Sequence, residues 1–248
     1  MAERVAVVTG AGSGIGQACA QRLAEDGCQV AALDLDEAGL AETTARIEEA
    51  GHRCMAVTVD LLDRLALETA FATVRDQLGL ISILHSNAGG TGGVASRTFA
   101  KSSYEQWDRY IALNLTQNID CARQVVPAMI EQGWGRLIVT SSEMAFRANW
   151  AMSDYAAAKA GLLGWVRNVA HELGKYGVTV NAVCPGATRT PLVESMPEEH
   201  RAKTLTEIPL GRLGEPDEIA HTVSFLASEG ASYVTGESIL VAGGRTLH

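Results

Sequence analysis

A chain of 248 residues, 47% of them hydrophobic, fits one large domain that buries roughly three quarters of the surface its unfolded chain exposes, with no need of metal or disulfide staples. The net charge of −9 argues against nucleic acid or an anionic membrane as a main partner, and no apolar run reaches the ~18 residues that span a bilayer. The five cysteines (Cys19, Cys28, Cys54, Cys121, Cys184) are dispersed, with no Cys-x-x-Cys and no companion histidines, which predicts reduced core thiols and no metal site.

Met1-Ala2-Glu3-Arg4 leads directly into an apolar strand without a signal peptide, so a cytoplasmic location is the expectation. That first strand, Val5–Thr9, runs into Thr9-Gly10-Ala11-Gly12-Ser13-Gly14-Ile15-Gly16 and a helix over Gly14–Asp26. Gly10 permits a tight turn, Gly14 a close approach to phosphate and Gly16 close packing of helix on strand, while the helix N-terminus attracts an anion. The second strand, Val30–Asp34, ends on an acidic residue 18 positions after Gly16, where a carboxylate binds a ribose 2′-hydroxyl and repels a 2′-phosphate. Leu35 follows where a base could have compensated, so NAD is expected over NADP. As a bland alternative, Asp34 is a helix-capping or loop residue.

A helix over Glu37–Ala50 and a strand over Cys54–Asp60 come next, then a helix over Arg64–Leu78 and a strand over Ile81–Ser86. Asp60-Leu61 and Asn87-Ala88-Gly89 close those two strands, as turns or as walls of a cofactor cleft. Tyr104–Gln132 reads as a long helix broken once, followed by a strand at Arg136–Thr140, a helix at Asp154–Lys175, a strand at Val178–Cys184, a helix at Pro216–Ala227 and a strand at Ser238–Val241. Short apolar strands alternating with helices predict a single α/β domain: a Rossmann-like, doubly wound sheet of about seven parallel strands with helices on both faces. Its ligand crevice lies at the carboxyl ends of the strands.

Within the Asp154–Lys175 helix, Tyr155 and Lys159 are one turn apart on the same face. A unit charge about 4 Å from a phenolate, at an effective dielectric near 20, is worth about 4 kcal/mol, or roughly 3 pKa units as an upper bound. Lys159 is therefore expected to draw the Tyr155 phenol toward neutrality, fitting it to exchange protons with an alcohol oxygen.

Taken in order, the Thr9–Gly16 turn, Asn87-Ala88-Gly89, Asn114 in Leu113-Asn114-Leu115, Ser142, Tyr155-x-x-x-Lys159, and Pro185-Gly186 followed by Thr190 resemble the short-chain dehydrogenases/reductases over essentially the whole chain. The resemblance implies that Ser142 hydrogen-bonds the substrate oxygen, with Ser141 as the alternative hydroxyl. It implies that Tyr155 is the general acid/base, that Lys159 lowers its pKa and holds the nicotinamide ribose, and that Asn114 positions a water. It assigns cofactor contacts to Gly10, Ser13, Gly14, Ile15, Gly16, Asp34, Asp60, Leu61, Asn87, Ala88, Gly89, Tyr155, Lys159, Pro185, Gly186, Thr188 and Thr190. The chain departs from the family at Ser86, Thr188 and Ala242.

The implied activity is hydride transfer between NAD(H) and a small secondary alcohol or ketone. Two stretches are left to choose the substrate: Glu143–Asp154, with Met144, Arg147 and Trp150 as pocket candidates, and a lid over Thr190–Arg212. Arg147 or Arg189 could clamp an anionic group, though solvated arginines are the commoner case. The alternatives are a 3-oxoacyl-thioester reductase, disfavoured because Ile130-Glu131-Gln132-Gly133-Trp134 lacks a basic docking patch, and a non-catalytic NAD-sensing protein. The small residues Ala156, Ala157, Ala158, Ala160, Gly161 and Gly164 invite close packing, and the resemblance implies a homodimer or homotetramer.

Overall fold

The computed structural model describes residues 4–93 and 96–247. Met1, Ala2 and Glu3, read as leading directly into the first strand, lie outside the described residues. Strands β1 (Val5–Thr9), β2 (Gln29–Asp34), β3 (Cys54–Thr58), β4 (Ile81–Ser86), β5 (Gly135–Thr140), β6 (Val178–Pro185) and β7 (Ser238–Val241) form one sheet in the order β3-β2-β1-β4-β5-β6-β7, with every pairing parallel. The winding reverses between β1 and β4, which opens a crevice beyond their carboxyl ends.

Alternation along the strands divides the core in two. Ala6, Val8, Val30, Ala32, Ile83 and Val183 face α1 (Gly14–Glu25), α2 (Glu37–Glu49) and α9 (Pro216–Ala227), meeting Leu23, Leu40 and Ile219. Val7, Leu33, Leu84, Leu137 and Val180 face α3 (Arg64–Leu78), α5 (Gln117–Gln132) and α6 (Ser153–Leu173), meeting Phe71, Val125 and Val166. Strands covered on both faces carry apolar residues at successive positions, which is why they read as continuous runs. Among the described residues, no helix is long and apolar enough to cross a membrane.

Element ends fall within two residues of the sequence expectation, and the long helix is broken once, as expected. β3 stops at Thr58 rather than Asp60, because the Asp60 carboxylate accepts the Leu62 N–H at 2.9 Å and closes a turn. The long helix divides into α4 (Tyr104–Ile111), a π-helical turn at Ala112–Thr116, and α5. The break centres on Asn114, whose amide donates back to the Tyr110 carbonyl at 3.2 Å and outward to Gly90, drawing the helix toward the crevice. The segment 190–212 holds two short helices that were not expected, α7 (Pro191–Glu194) and α8 (Glu198–Thr206).

Candidate active site

Close backbone approach shapes the cofactor side. Gly10 and Gly14 take positive φ of 65° and 55°, and a Cβ on Gly10 would stand 2.9 Å from the Ala88 Cα. A Cβ on Gly16 would run into the Gly10 carbonyl. These positions leave bare backbone and the α1 N-terminus facing the crevice, a cradle for phosphate. Asp34 accepts the Gly12 N–H at 2.8 Å on one oxygen and the Asp36 N–H at 3.0 Å on the other, so its carboxylate is fixed at the rim of that cradle while each oxygen retains a lone pair. Leu35 beside it is exposed. This bare-backbone cradle with an anchored acidic rim fits a dinucleotide.

Across the winding reversal, the Thr9 hydroxyl accepts the N–H groups of Asn87 (3.0 Å) and Ala88 (3.1 Å), joining the ends of β1 and β4. The Asn87 amide donates to the Thr9 carbonyl, and its oxygen accepts from the Thr140 hydroxyl at 3.1 Å. Because Thr140 donates there, it accepts from Nε2–H of the buried His85 at 2.9 Å, which fixes the tautomer of that ring. Burial without a charge partner lowers the His85 pKa to about 3.

Around the chemistry, Ser142 caps the single turn Glu143–Ala145, accepting the Met144 N–H at 3.1 Å, and its hydroxyl stands beside the Tyr155 phenol. Ser141 instead donates to the Lys159 carbonyl at 2.8 Å, so Ser142 is the serine whose hydroxyl stands beside the phenol. The Lys159 ammonium donates to the Thr140 carbonyl at 2.8 Å and lies 5.7 Å from the centre of the Tyr155 ring. Glycine at 89 leaves it room, since a Cβ there would lie 3.1 Å from Nζ and 2.9 Å from the Asn114 Oδ1. Asn114 clasps Gly90 through both amide atoms, at 2.8 and 2.9 Å.

The expected drop in the Tyr155 pKa is not found in this state. Burial is the leading cause and pushes the phenol up to about 12, with Ser142 pulling the other way. Burial also lowers Lys159 to about 8. The ammonium faces the Thr140 carbonyl rather than the phenol oxygen, so desolvation outweighs attraction.

A cleft of about 310 Å³ surrounds Tyr155, at the small end of ligand pockets. Ile15, Ser142, Met144, Pro185, Gly186, Thr188 and Thr190 line it, as do Leu192, Val193 and Met196 from 190–212. Two of the predicted pocket residues lie elsewhere. Arg147 pairs with Glu207 at 3.1 Å, and Trp150 is 82% exposed over a separate shallow depression with Phe99. Arg189 pairs with Glu215 at 3.0 Å. Asp60 is exposed with its side chain in its own turn, Leu61 is buried in the core, and Thr188 turns its hydroxyl to the Gly186 carbonyl at 3.1 Å. A larger groove of about 630 Å³ beyond β7 is lined in part by Ile208, Leu210 and Arg212 of the expected lid and holds none of the predicted catalytic or cofactor residues.

Sequence reading placed Glu143 only at the start of the substrate stretch, without a role, and missed Arg245 in the cleft wall. Glu143 is 2% exposed, and its carboxylate receives Arg245 and the Thr246 hydroxyl, each at 2.8 Å. Position next to Ser142 could have flagged Glu143, whereas nothing local marks Arg245.

The comparisons agree with this geometry. The family model described as Enoyl-(Acyl carrier protein) reductase matches residues 10–246. The chain is 40% identical to Nodulation protein G of Azospirillum brasilense over 98% of both chains. It is 36% identical to the 3-oxoacyl-[acyl-carrier-protein] reductase FabG of Vibrio harveyi, over 97% of this chain and 96% of that one. A 7α-hydroxysteroid dehydrogenase solved with NADH and 7-oxo glycochenodeoxycholic acid superposes with a TM-score of 0.94 at 31% identity, covering all of this chain and 96% of that one. With a glycine cradle at the winding reversal and Ser142, Tyr155 and Lys159 gathered around one cleft, the chain belongs to the short-chain dehydrogenase/reductase family of nicotinamide-dependent oxidoreductases.

Proposed function

We propose that this protein transfers hydride between NAD(H) and a small secondary alcohol or ketone, with Tyr155 as general acid/base. The observation that carries the reading is the meeting of the Ser142 hydroxyl and the Tyr155 phenol in a small, largely apolar cleft. When bound, the nicotinamide supplies or accepts the hydride. Ser142 orients the substrate oxygen and stabilises charge on it. In reduction the Tyr155 O–H gives its proton to that oxygen; in oxidation the phenolate takes the hydroxyl proton. Lys159 holds positive charge beneath the ring, and Asn114 fixes the Gly89-Gly90 loop that bounds its site. The segment 190–212 serves as the lid.

The choice of NAD rests on Asp34, whose anchored carboxylate would repel a 2′-phosphate with only Leu35, Asp36 and Glu37 following. Coupled assays with NADH and NADPH over ketones, sugars, hydroxy acids and their partners, in both directions, test the whole reading; turnover of none would defeat it.

One observation favours a second reading, as a 3-oxoacyl-thioester reductase: the 36% identity to FabG. Against an acidic carrier protein stands Glu131, exposed in the stretch before β5 where a basic patch would dock it. Including 3-oxoacyl thioesters in the panel, free and carrier-bound, separates the two.

A further inference from the structure

We infer that Arg245 is a positioning residue that ties the segment over the cleft to the turn carrying Ser142, and so sets the affinity for substrate. This rests on the proposed roles of Ser142 and of the lid. After β7 the chain turns through Gly243 and Gly244, at φ of 60° and 83°. A Cβ on the first would stand 2.9 Å from Ile208 and on the second 3.0 Å from Pro209, so two bare residues let this stretch lie flat against the end of the lid. Arg245 is thereby delivered into the cleft wall with its side chain 8% exposed.

One guanidinium then holds two carboxylates. Its Nη1 donates to Glu143 at 2.8 Å, directly after Ser142, while Nη2 (2.6 Å) and Nε (3.1 Å) donate to Glu207, directly after α8. Arg147 adds a second grip on Glu207 at 3.1 Å, and these hydrogen bonds hold the Glu207 carboxyl below the usual carboxylate range. The four charges cancel, so Arg245 is committed within the protein and is not a reader of anionic substrates. Glu143 is almost fully buried beside the phenol, and a carboxylate so placed is tolerable only while paired.

The two ends of the tie differ in consequence. Losing Glu207 frees only the lid, which weakens substrate binding. Losing Arg245 also leaves the Glu143 charge uncompensated beside Ser142, where negative charge develops on the substrate oxygen, which slows turnover.

The test compares Glu207→Gln, Arg245→Lys and Arg245→Met with wild type. KM and kcat are measured on a substrate identified by the panel, NADH affinity by fluorescence, and native-state tryptic cleavage at Arg201 and Lys203 of α8. Glu207→Gln is expected to raise KM about threefold with kcat within about twofold, the scale of a half-exposed ion pair. Arg245→Met is expected to change KM and kcat about tenfold each, the scale of breaking a buried pair, with Arg245→Lys recovering part of both. Both Glu207→Gln and Arg245→Met should speed cleavage in α8 while NADH affinity holds. Unchanged KM and unchanged cleavage in Glu207→Gln and Arg245→Lys would overturn the inference, even if Arg245→Met failed to fold. Should wild type turn over nothing in the panel, the functional reading fails while the cleavage rates still decide whether the tie exists.

Discussion

On the side of β1 and β2 the cleft wall is backbone: a glycine turn whose contacts are carbonyls and N–H groups, with Asp34 held by the Gly12 and Asp36 amides. On the side of β5 and the segment 190–212 it is made of long side chains that meet across large separations, Glu143 with Arg245 and Arg147 with Glu207. At Gly10 and Gly16 the first wall admits no side chain, because an added Cβ meets backbone. The second is set by which side chains pair there, and its buried Glu143–Arg245 pair cannot lose one partner without cost. A common dinucleotide and a variable substrate place these two demands on a single cleft.

The largest expected effect strikes where the walls meet. Tyr155→Phe removes the proton donor but keeps the ring, so kcat/KM should fall by at least about 10²-fold, within the range for general acid–base groups, while NADH fluorescence titration gives near-native affinity. A variant keeping a tenth of the activity would mean that proton exchange passes through another group. Next in size, Asp34→Ser alters the backbone wall at its one charged point. It should raise the NADPH-to-NADH preference by about tenfold, roughly 1.4 kcal/mol of relieved repulsion. An unchanged ratio in paired kinetic assays would remove Asp34 as the discriminator.

The same contrast explains what could be read before any coordinates. Gly10, Gly14, Gly16, Asp34 and Asn87 act through local backbone shape at strand ends, and local shape leaves spacing in the sequence. Tyr155 and Lys159 were placed on one face by helical periodicity alone. Their electrostatics were not, because the direction of the Tyr155 shift depends on burial and on the Lys159 ammonium meeting the Thr140 carbonyl, contacts set by the packed sheet. Arg147 and Trp150 were assigned to the pocket by nearness to Ser142 along the chain, yet their partners or exposure come from residues 207 and 99. Glu143 meets Arg245 across 102 positions, a pairing without any local trace.

A smaller effect should come from beneath the backbone wall. His85 has its folded pKa lowered to about 3 from an ordinary value near 6.5, so the folded state resists the proton that the unfolded state accepts. Its contribution is therefore full above pH 6.5 and is lost as pH falls from there toward 3. At pH 5.5 the loss amounts to about 1.4 kcal/mol. Denaturant unfolding of wild type and His85→Gln from pH 7.5 to 5 measures it: the stability difference between the two should shift by about 2 kcal/mol toward the variant over that range. A pH-independent difference would show that the imidazole takes up its proton inside the fold.

The smallest effect is expected at Trp150. The residue is 82% exposed and is followed by Ala151 at a positive φ of 57°, and it lies with Phe99 in a depression that touches the cleft only through Asn149 and Met152. Truncation there removes no cleft contact, so Trp150→Ala should leave stability within about 0.5 kcal/mol, as surface substitutions do. It should leave kcat/KM within about twofold, since one rate-neutral surface contact is all that is lost. Met144→Ala is the control, because Met144 is buried and lines the cleft, and its loss should shift preference toward bulkier substrates. If Trp150→Ala instead cost tenfold or more in kcat/KM while Met144→Ala cost little, the working substrate would reach over the rim onto the aromatic surface. The variable wall would then extend past the residues that enclose Tyr155.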